Sequence, residues 1–294
     1  MYIILGKSGY IAEAMIKELN FRGLANKAIS RSEINYLDPI ELKYYLITQA
    51  ESSNSAFKRE NVKIINCAGY IGKPNVDACE SHKAECIDGN VVFPAMLSQL
   101  CASEGYSLAH ISSGCIYGGY SKDFSEADDP NFDFINGSFY SGTKALAEKI
   151  VLRNKEDSYV FRLRIPFDEY ESPRNYLTKL LTYDNLLDVE NSLSHRSDFA
   201  KYCINLIEAE VPFGIYNVTN KGSATTKQVV DLINKYSSNK RHFKFFKDLE
   251  SFSRITVAPR SNCVLDTSNI ERYIPIRTAE EALEEAVSRY FMPS

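Results

Sequence analysis

The sequence predicts an α/β fold built on a doubly wound parallel sheet, with a smaller α/β lobe in its C-terminal part. Short apolar runs alternate with helical patterns through the first half of the chain, which is typical of strand–helix–strand units. A turn containing two glycines follows the first apolar run. After Pro166 the alternation loosens, which indicates a second lobe over the carboxyl edge of the sheet.

The elements of the first half follow one another in a regular order. The predicted strands are Tyr2 to Gly6, Lys27 to Ser30, Val62 to Gly69, Ser107 to Ser113 and Tyr159 to Pro166, and the predicted helices cover 11–20, 38–50, 83–104 and 140–153. Asp38 as N-cap and Pro39 at the first helical position begin the second helix. We therefore assign 1–166 to a nucleotide-binding domain, to which strands near 186–192 and 213–218 also belong. The substrate lobe is mainly 167–294, with helices near 174–181, 199–208, 226–236 and 279–290.

Composition favours a small-molecule enzyme. The chain has 294 residues, 44% of them hydrophobic, and a net charge of -4, which argues against nucleic acid or an anionic membrane as partner. Its seven cysteines are scattered, and the nearest approach to a ligand pair, "CESH" at 79–82, is better interpreted as a helix start, so no metal site is predicted. No apolar run approaches the roughly 20 residues of a membrane span, and a signal-peptide pattern is lacking. We expect a cytoplasmic protein.

The first strand leads into "GKSGYIA", which has the spacing of a dinucleotide-binding turn. Gly6 permits a tight turn, Gly9 lets the backbone approach a pyrophosphate, and Ala12 allows close helix–strand packing. This motif at the first strand–helix turn indicates a Rossmann-like domain. The predicted cofactor contacts of this turn are Gly6, Lys7, Ser8, Gly9, Tyr10 and Ile11.

The end of the second strand bears on which dinucleotide is bound. Sites selective for NAD usually carry an acid there, which binds the ribose 2′-hydroxyl. Here the strand ends in Ser30 and Arg31, so a 2′-phosphate would meet a hydroxyl and a cation. NADPH is the expected cofactor, and the nearby Glu33 leaves NADH open.

Tyr140 and Lys144 form the predicted catalytic pair. They are four residues apart and lie on one helical face, where an ammonium is expected to lower the pKa of the phenol. Ser113 closes the preceding strand and adds a second hydroxyl for one substrate oxygen. A second YxxxK match, Tyr236 to Lys240, follows no strand-end serine and is interpreted as a solvated turn.

Together, "GKSGYIA", "NCAG", "SSGCIYG" and "YSGTK" resemble the extended short-chain dehydrogenase/reductases that act on nucleotide sugars. The longer stretches "CAGYIGKPNVDACESHK", "PNFDFINGSFYSGTKA", "FRLRIPF", "SPRNYLTK", "GIYNVTN" and "VAPRSNCVLDT" resemble the bifunctional UDP-4-keto-6-deoxyglucose 3,5-epimerase/4-reductases of rhamnose synthesis. The similarity to dTDP-4-dehydrorhamnose reductase and GDP-fucose synthase is more distant. The 4,6-dehydratase unit of some relatives has no counterpart in this sequence, so we expect another protein to supply the keto-sugar.

The resemblance implies roles for several further residues. The family's epimerising cysteine corresponds to Cys115 and its lysine partner to Lys179, although Cys115 also fits a small buried residue and Lys179 a surface charge or a phosphate contact. At the substrate site, Asn90 braces the surroundings of Tyr140, and Asn175 binds the sugar nucleotide. The other implied positions are Arg260 and Asn262 for the diphosphate, Asp38 for adenine unless it serves only as a helix cap, and Asn66, Ala68 and Gly69 in the cofactor cleft.

The resemblance implies conversion of UDP-4-keto-6-deoxyglucose to UDP-L-rhamnose with NADPH, in a homodimer. Three alternatives stay open: a reductase that acts only on an already epimerised dTDP-4-keto-L-rhamnose, a non-catalytic NADP-binding regulatory subunit, and an epimerase without net reduction. The stretch "HRSDFAKY", beginning at His195, departs from the family's pattern in the connection to the sugar lobe. UDP and dTDP therefore both remain candidates for the nucleotide.

Overall fold

A computed structural model describes residues 1–52, 61–73, 75–154 and 156–292. Its centre is a sheet of six parallel strands in the order β2-β1-β3-β4-β5-β9. The strands of the described residues are β1 Tyr2–Leu5, β2 Asn26–Ile29, β3 Lys63–Asn66, β4 Ser107–Ser113, β5 Ser158–Leu163, β6 Pro166–Phe167, β7 Glu190–Asn191, β8 Ser194–His195, β9 Gly214–Asn217 and β10 Ala224–Thr225. The predicted doubly wound parallel sheet is confirmed.

Helices cover both faces of this sheet and build the second lobe. Within the described residues they are α1 Tyr10–Phe21, α2 Pro39–Glu51, α3 Ala78–Ser81, α4 Lys83–Ile87, α5 Phe93–Glu104, α6 Phe139–Val151, α7 Tyr176–Thr182, α8 Arg196–Glu208, α9 Thr226–Tyr236, α10 Leu249–Ser253 and α11 Ala279–Phe291. None of the helices that the structure describes is both long and apolar enough to cross a bilayer.

Two cores sandwich the sheet, and a third lies in the C-terminal lobe. Met15 of α1 and Ile204 of α8 pack on one face, and Leu46 of α2 and Leu97 of α5 pack on the other. The third core joins α7, α9 and α11 through side chains such as Val229. Because α8 completes the first core, the second half of the chain contributes to the nucleotide-binding domain.

The strands after Pro166 divide between the two regions. Gly214–Asn217 pairs with β5 and forms one edge of the central sheet, where the sequence placed it. Glu190–Asn191 instead pairs with Ala224–Thr225 in a separate antiparallel ribbon, so the expectation that 186–192 adds to the central sheet is corrected. A short parallel pair, β6 with β8, connects the sheet to the lobe.

The predicted long helix over 83–104 is interrupted by a π-helical turn at Asp88–Val92. A π turn inserts one extra residue into a helix and rotates the next turn about the helix axis, and such turns frequently occur at functional sites. Here the turn contains Asn90, which is buried and faces α6.

Candidate active site

The turn between β1 and α1 packs its backbone so closely that its glycines have no room for a side chain. Gly6 has a φ of +92°, and a Cβ there would lie 2.9 Å from the backbone nitrogen of Ala68. A Cβ on Gly9 would lie 2.9 Å from the carbonyl oxygen of Gly6. The residues present thus fit a dinucleotide pyrophosphate at the N-terminus of α1.

The remaining residues of this turn differ in how their side chains are used. Lys7 and Ser8 are exposed, whereas the ring of Tyr10 is buried and lies under the guanidinium of Arg196, with 4.2 Å between the guanidinium carbon and the ring centroid. Tyr10 and Ile11 therefore offer a ligand mainly the backbone N–H groups that begin α1. The carboxylate of Asp38 accepts from the N–H groups of Ile40 and Glu41, which is the helix-cap role.

Glu33 lies against the end of β2. Its carboxylate accepts from the N–H of Ser30 at 2.9 Å and from the Ser30 hydroxyl at 2.8 Å, and it lies 3.7 Å from the ammonium of Lys7. These contacts lower the pKa of Glu33, with the Ser30 hydrogen bonds as the largest cause. Arg31 is exposed beside this group.

Lys144 is anchored beneath the site by buried groups. Its ammonium donates to the carbonyl oxygen of Ile111 at 2.9 Å and lies 3.5 Å from Nε2 of His110. The Nδ1 atom of His110 lies 3.1 Å from the amide nitrogen of Asn66, whose oxygen accepts from the N–H of Ala68. Burial lowers the pKa of Lys144 and holds that of His110 well below its usual value. Sequence reasoning missed His110.

Ser113, Cys115 and Tyr140 meet at the carboxyl end of β4. The Ser113 hydroxyl accepts from the N–H of Cys115, which lies in a short turn at 114–116 against α6. Cys115 and Tyr140 are both partly exposed. The pKa of Tyr140 is raised well above its usual value, chiefly by burial and then by the neighbouring thiol of Cys115. The expected lowering by Lys144 is not found: its ammonium donates to the Ile111 carbonyl, and every cause of the Tyr140 shift raises the pKa.

Asn90 braces this arrangement through its amide. The oxygen accepts from the N–H of Tyr70 at 2.7 Å, and the nitrogen donates to the Tyr70 carbonyl at 2.8 Å and to the Thr143 hydroxyl at 3.2 Å. Thr143 in turn donates to the carbonyl of Tyr140. A Cβ on Gly69 would lie 3.0 Å from the Asn90 oxygen, so this glycine, in the segment after β3, makes room for the brace. The buried amide of Asn90 is therefore committed to the protein, and its role is positioning.

A buried ion pair that sequence reasoning missed fixes α6 to the sheet. Glu148, one turn past Lys144, receives two hydrogen bonds at 3.1 Å from Nε of Arg162 and one at 2.6 Å from its Nη2. Ser112 also donates to Glu148, and Arg162 donates to the Tyr117 hydroxyl. The available signal was a charged residue inside the apolar strand "YVFRLRIP".

The lobe contributes a group of cations. Burial lowers the pKa of Lys179, and the charges of Arg174 and Arg260 lower it further. The Arg260 guanidinium forms a bidentate ion pair with the Asp77 carboxylate, with N–O distances of 2.7 and 2.8 Å. Hydrogen bonding from Arg260 is the largest cause of the lowered pKa of Asp77. The arrangement suits a diphosphate, and sequence reasoning missed Asp77.

Two residues that were predicted to bind substrate in the lobe, Asn262 and Asn175, make different contacts. Asn262 is partly exposed and receives a hydrogen bond from Asn191, whose oxygen is held by the buried Arg164. Asn175 is fully buried, caps α7, and uses its amide on the backbone and carboxylate of Asp168. That Asn175 binds sugar nucleotide stays a prediction; in the structure its polar atoms hold the loop that precedes α7.

The site therefore combines a dinucleotide turn, two hydroxyls at one strand end, a partly exposed thiol and a cationic wall. Hydroxyls of Ser113 and Tyr140 suit a carbonyl oxygen that gains negative charge. A thiol beside them suits proton transfer at a neighbouring carbon. The guanidinium of Arg260 suits the phosphates of a nucleotide.

The amino-acid sequence of this chain is similar to those of several known proteins. The family model described as RmlD substrate binding domain matches residues 1–292. A bifunctional dTDP-4-dehydrorhamnose 3,5-epimerase/dTDP-4-dehydrorhamnose reductase of Arabidopsis thaliana is 31% identical over 93% of this chain and 87% of its own length. A trifunctional UDP-glucose 4,6-dehydratase/UDP-4-keto-6-deoxy-D-glucose 3,5-epimerase/UDP-4-keto-L-rhamnose-reductase of the same plant is 30% identical over 93% of this chain, which spans only 39% of that protein.

The same fold occurs in solved structures. The L780 UDP-rhamnose synthase of Acanthamoeba polyphaga mimivirus superimposes with a TM-score of 0.87 at 22% identity, over 98% of both chains. A dTDP-4-dehydrorhamnose reductase of Bacillus anthracis in complex with NADP gives a TM-score of 0.80 at 16% identity, over 100% of this chain and 99% of that one.

Proposed function

Because this chain belongs to the RmlD substrate binding domain family of nucleotide-sugar reductases, we propose that it is a bifunctional 3,5-epimerase and 4-reductase. Its substrate would be a nucleotide-linked 4-keto-6-deoxyglucose, and its product a nucleotide-linked 6-deoxy-L-hexose. One observation carries the proposal: Ser113, Tyr140 and the thiol of Cys115 lie together at the carboxyl end of β4.

The reductive step depends on a protonated phenol. Ser113 and Tyr140 hold the C4 oxygen, and Tyr140 gives it a proton as the carbonyl is reduced. The raised pKa keeps Tyr140 in its donating form at neutral pH. A bound reduced nicotinamide supplies the hydride. Lys144, fixed by Ile111, lies one helical turn from Tyr140 and stabilises the phenolate that forms.

The epimerising steps precede reduction and use the same oxygen contacts. Protons at C3 and C5 are acidic because both carbons adjoin the C4 carbonyl, and Ser113 and Tyr140 stabilise the enolate that their removal creates. Inversion requires a proton to leave one face of the ring and another to arrive on the opposite face. We assign these transfers to Cys115 and Lys179, whose lowered pKa brings the amine closer to neutral pH.

The phosphates and the supply of substrate complete the proposal. Arg260, with Arg174 nearby, binds the diphosphate of UDP, with dTDP as the alternative. A 4,6-dehydratase activity makes the keto-sugar, and the enzyme works in the cytoplasm as a homodimer. NADPH is the proposed cofactor, held by the glycine turn and by the end of β2.

The test is product analysis in deuterated water. The enzyme is given NADPH and UDP-4-keto-6-deoxyglucose or its dTDP counterpart, and deuterium at C3 and C5 is counted by mass spectrometry. The wild type should yield a reduced product carrying both labels. Cys115→Ala should lose label by a factor of about 100 or more while it still reduces an already epimerised keto-sugar. Cys101→Ala, which removes a buried thiol of α5, is the matched control.

The alternatives predict other outcomes of the same assay. A plain reductase consumes NADPH only with the epimerised substrate and incorporates no label at C3 or C5. A regulatory subunit binds dinucleotide but shows no turnover that depends on Tyr140. Equal rates of NADPH consumption for Tyr140→Phe and wild type would therefore contradict the proposed enzymatic function. Label without consumption of NADPH indicates an epimerase alone.

A further inference from the structure

We propose that Glu33 sets the preference between NADPH and NADH, because its carboxylate occupies the hydrogen-bond donors that a ribose 2′-phosphate needs. The inference rests on the proposed function, since it assumes that a nicotinamide dinucleotide binds at the turn after β1. It goes further by naming an anion within the chain that competes with one form of the cofactor.

The contacts of Glu33 are those of a bound anion. One carboxylate oxygen accepts from both the N–H and the hydroxyl of Ser30, at 2.9 and 2.8 Å, and the other lies 3.7 Å from the Lys7 ammonium. A backbone N–H, a hydroxyl and an ammonium form a donor set that also suits a phosphate. The exposed Arg31 lies next in the chain and adds a second cation.

These donors lie at the position that governs dinucleotide choice. In a Rossmann-like domain the end of the second strand faces the adenosine ribose, and an acid there accepts a hydrogen bond from the 2′-hydroxyl. Ser30 directly follows β2, and Lys7 directly follows the first glycine of the phosphate turn. The Glu33 carboxylate therefore stands where a 2′-hydroxyl or a 2′-phosphate must approach.

The two cofactors have opposite effects on this carboxylate. A 2′-hydroxyl can donate to Glu33 while the contacts to Ser30 and Lys7 persist, so NADH leaves the group in place. A 2′-phosphate carries roughly two negative charges near neutral pH, repels the carboxylate and requires the same donors. NADPH must therefore displace Glu33 before it gains Ser30, Lys7 and Arg31.

Glu33 can leave without disturbing the sheet. It lies in a short turn after β2, where its N–H donates to the Ser30 carbonyl at 3.0 Å, and its side chain is 46% exposed. Rotation of an exposed side chain costs little compared with a backbone change. Replacement of the Glu33 carboxylate by a phosphate is thus a local event. The repulsion from Glu33 and the attraction from Lys7 and Arg31 together set the ratio of the affinities for NADPH and NADH.

The experiment measures dissociation constants directly. Isothermal titration calorimetry gives the Kd of NADPH and of NADH for the wild type, Glu33→Gln and Lys7→Met at one fixed ionic strength, since charge contacts are screened by salt. Glu33→Gln removes the competing charge, so we expect its Kd for NADPH to fall about tenfold and its Kd for NADH to rise about threefold. Lys7→Met should raise the Kd for NADPH about tenfold and that for NADH by a smaller factor.

Glu51→Gln is the matched control. It removes one exposed carboxylate from the C-terminal end of α2, whereas Glu33 lies before the N-terminal end. It should therefore leave the ratio of the Kd values for NADPH and NADH unchanged. If Glu33→Gln alters that ratio by less than about twofold while the wild type binds either dinucleotide, this inference is overturned and the proposed function stands. If the wild type binds neither dinucleotide, the proposed function fails and this inference fails with it.

Discussion

The floor and the wall of the active site are held in place by different kinds of interaction. The floor, defined as Lys144 and Glu148 on α6 with Arg162 of β5, is tied by buried hydrogen bonds and an ion pair whose side chains are 2% and 3% exposed. The wall, defined as Arg260 with Asp77, is held by an ion pair whose side chains are each 24% exposed.

This difference shows which parts of the site must stay fixed and which must change partners. Proton transfer to a carbonyl oxygen requires donors in one position, and a buried network supplies that rigidity. A diphosphate requires cations that are available when it arrives. Arg260 is paired with Asp77, so binding of a diphosphate would require Arg260 to share this carboxylate or to exchange it for phosphate.

The largest expected effect breaks the floor. Arg162→Met leaves Glu148 charged and buried without its partner, so the free energy of unfolding should fall by about 3–5 kcal/mol. Arg260→Met should lower it by no more than about 1 kcal/mol, because its pair is partly solvated. Urea denaturation of both variants checks the comparison, and equal losses would show that floor and wall are held alike.

The next effect concerns substrate affinity. Arg260→Met removes a planar donor for the diphosphate, so the KM for the nucleotide sugar should rise about tenfold or more with kcat changed by less than about threefold. Steady-state kinetics with saturating NADPH measures both constants. A decrease in kcat with an unchanged KM would instead indicate that Arg260 acts, like the floor residues, on the catalytic step and not on substrate binding.

A smaller effect of opposite sign is expected at Asp77. Asp77→Asn keeps an oxygen for the N–H of Ala258 but removes the charge that competes with phosphate. We expect the KM for the nucleotide sugar to fall about threefold, with little change in the free energy of unfolding. An increase in KM would instead mean that Asp77 is needed to orient Arg260.

The smallest effect tests the electrostatics of Tyr140, which lies on α6 with the floor residues Lys144 and Glu148. Burial is the main cause of the raised pKa of Tyr140, and the Cys115 thiol is the second. Reduction requires the protonated phenol, so kcat/KM should fall only as pH rises through that raised value. Cys115→Ala should move this alkaline limb to lower pH, measured with an already epimerised substrate. A shift to higher pH contradicts the assigned cause.

Local patterns predicted the scaffold well. β4 runs from Ser107 to Ser113 as expected, Asp38 caps α2, and Tyr140 and Lys144 share α6. Each of these depends on neighbours within a few residues, where apolar periodicity and capping chemistry are decisive. The catalytic roles given to these side chains remain predictions.

Long-range pairs were beyond the reach of such patterns. Asp77 and Arg260 are 183 residues apart, and nothing near either residue indicates the other. The role of Asn175 depends on the fold of the loop at Asp168. The direction of the Tyr140 pKa shift depends on burial, which four-residue spacing to Lys144 does not reveal.

The position of β9 at the edge of the central sheet constrains how the chain can be cut. Gly214–Asn217 covers the backbone hydrogen-bonding groups of β5, although residues 164–213, which include α7 of the other lobe, lie between the two strands. A fragment that stops at Pro166 would expose β5 as an unprotected strand edge and leave the α1 face without α8, which favours aggregation. The natural unit for truncation, fusion or domain exchange is therefore the whole two-lobed chain, with foreign segments better inserted in a surface loop than at the junction of the lobes.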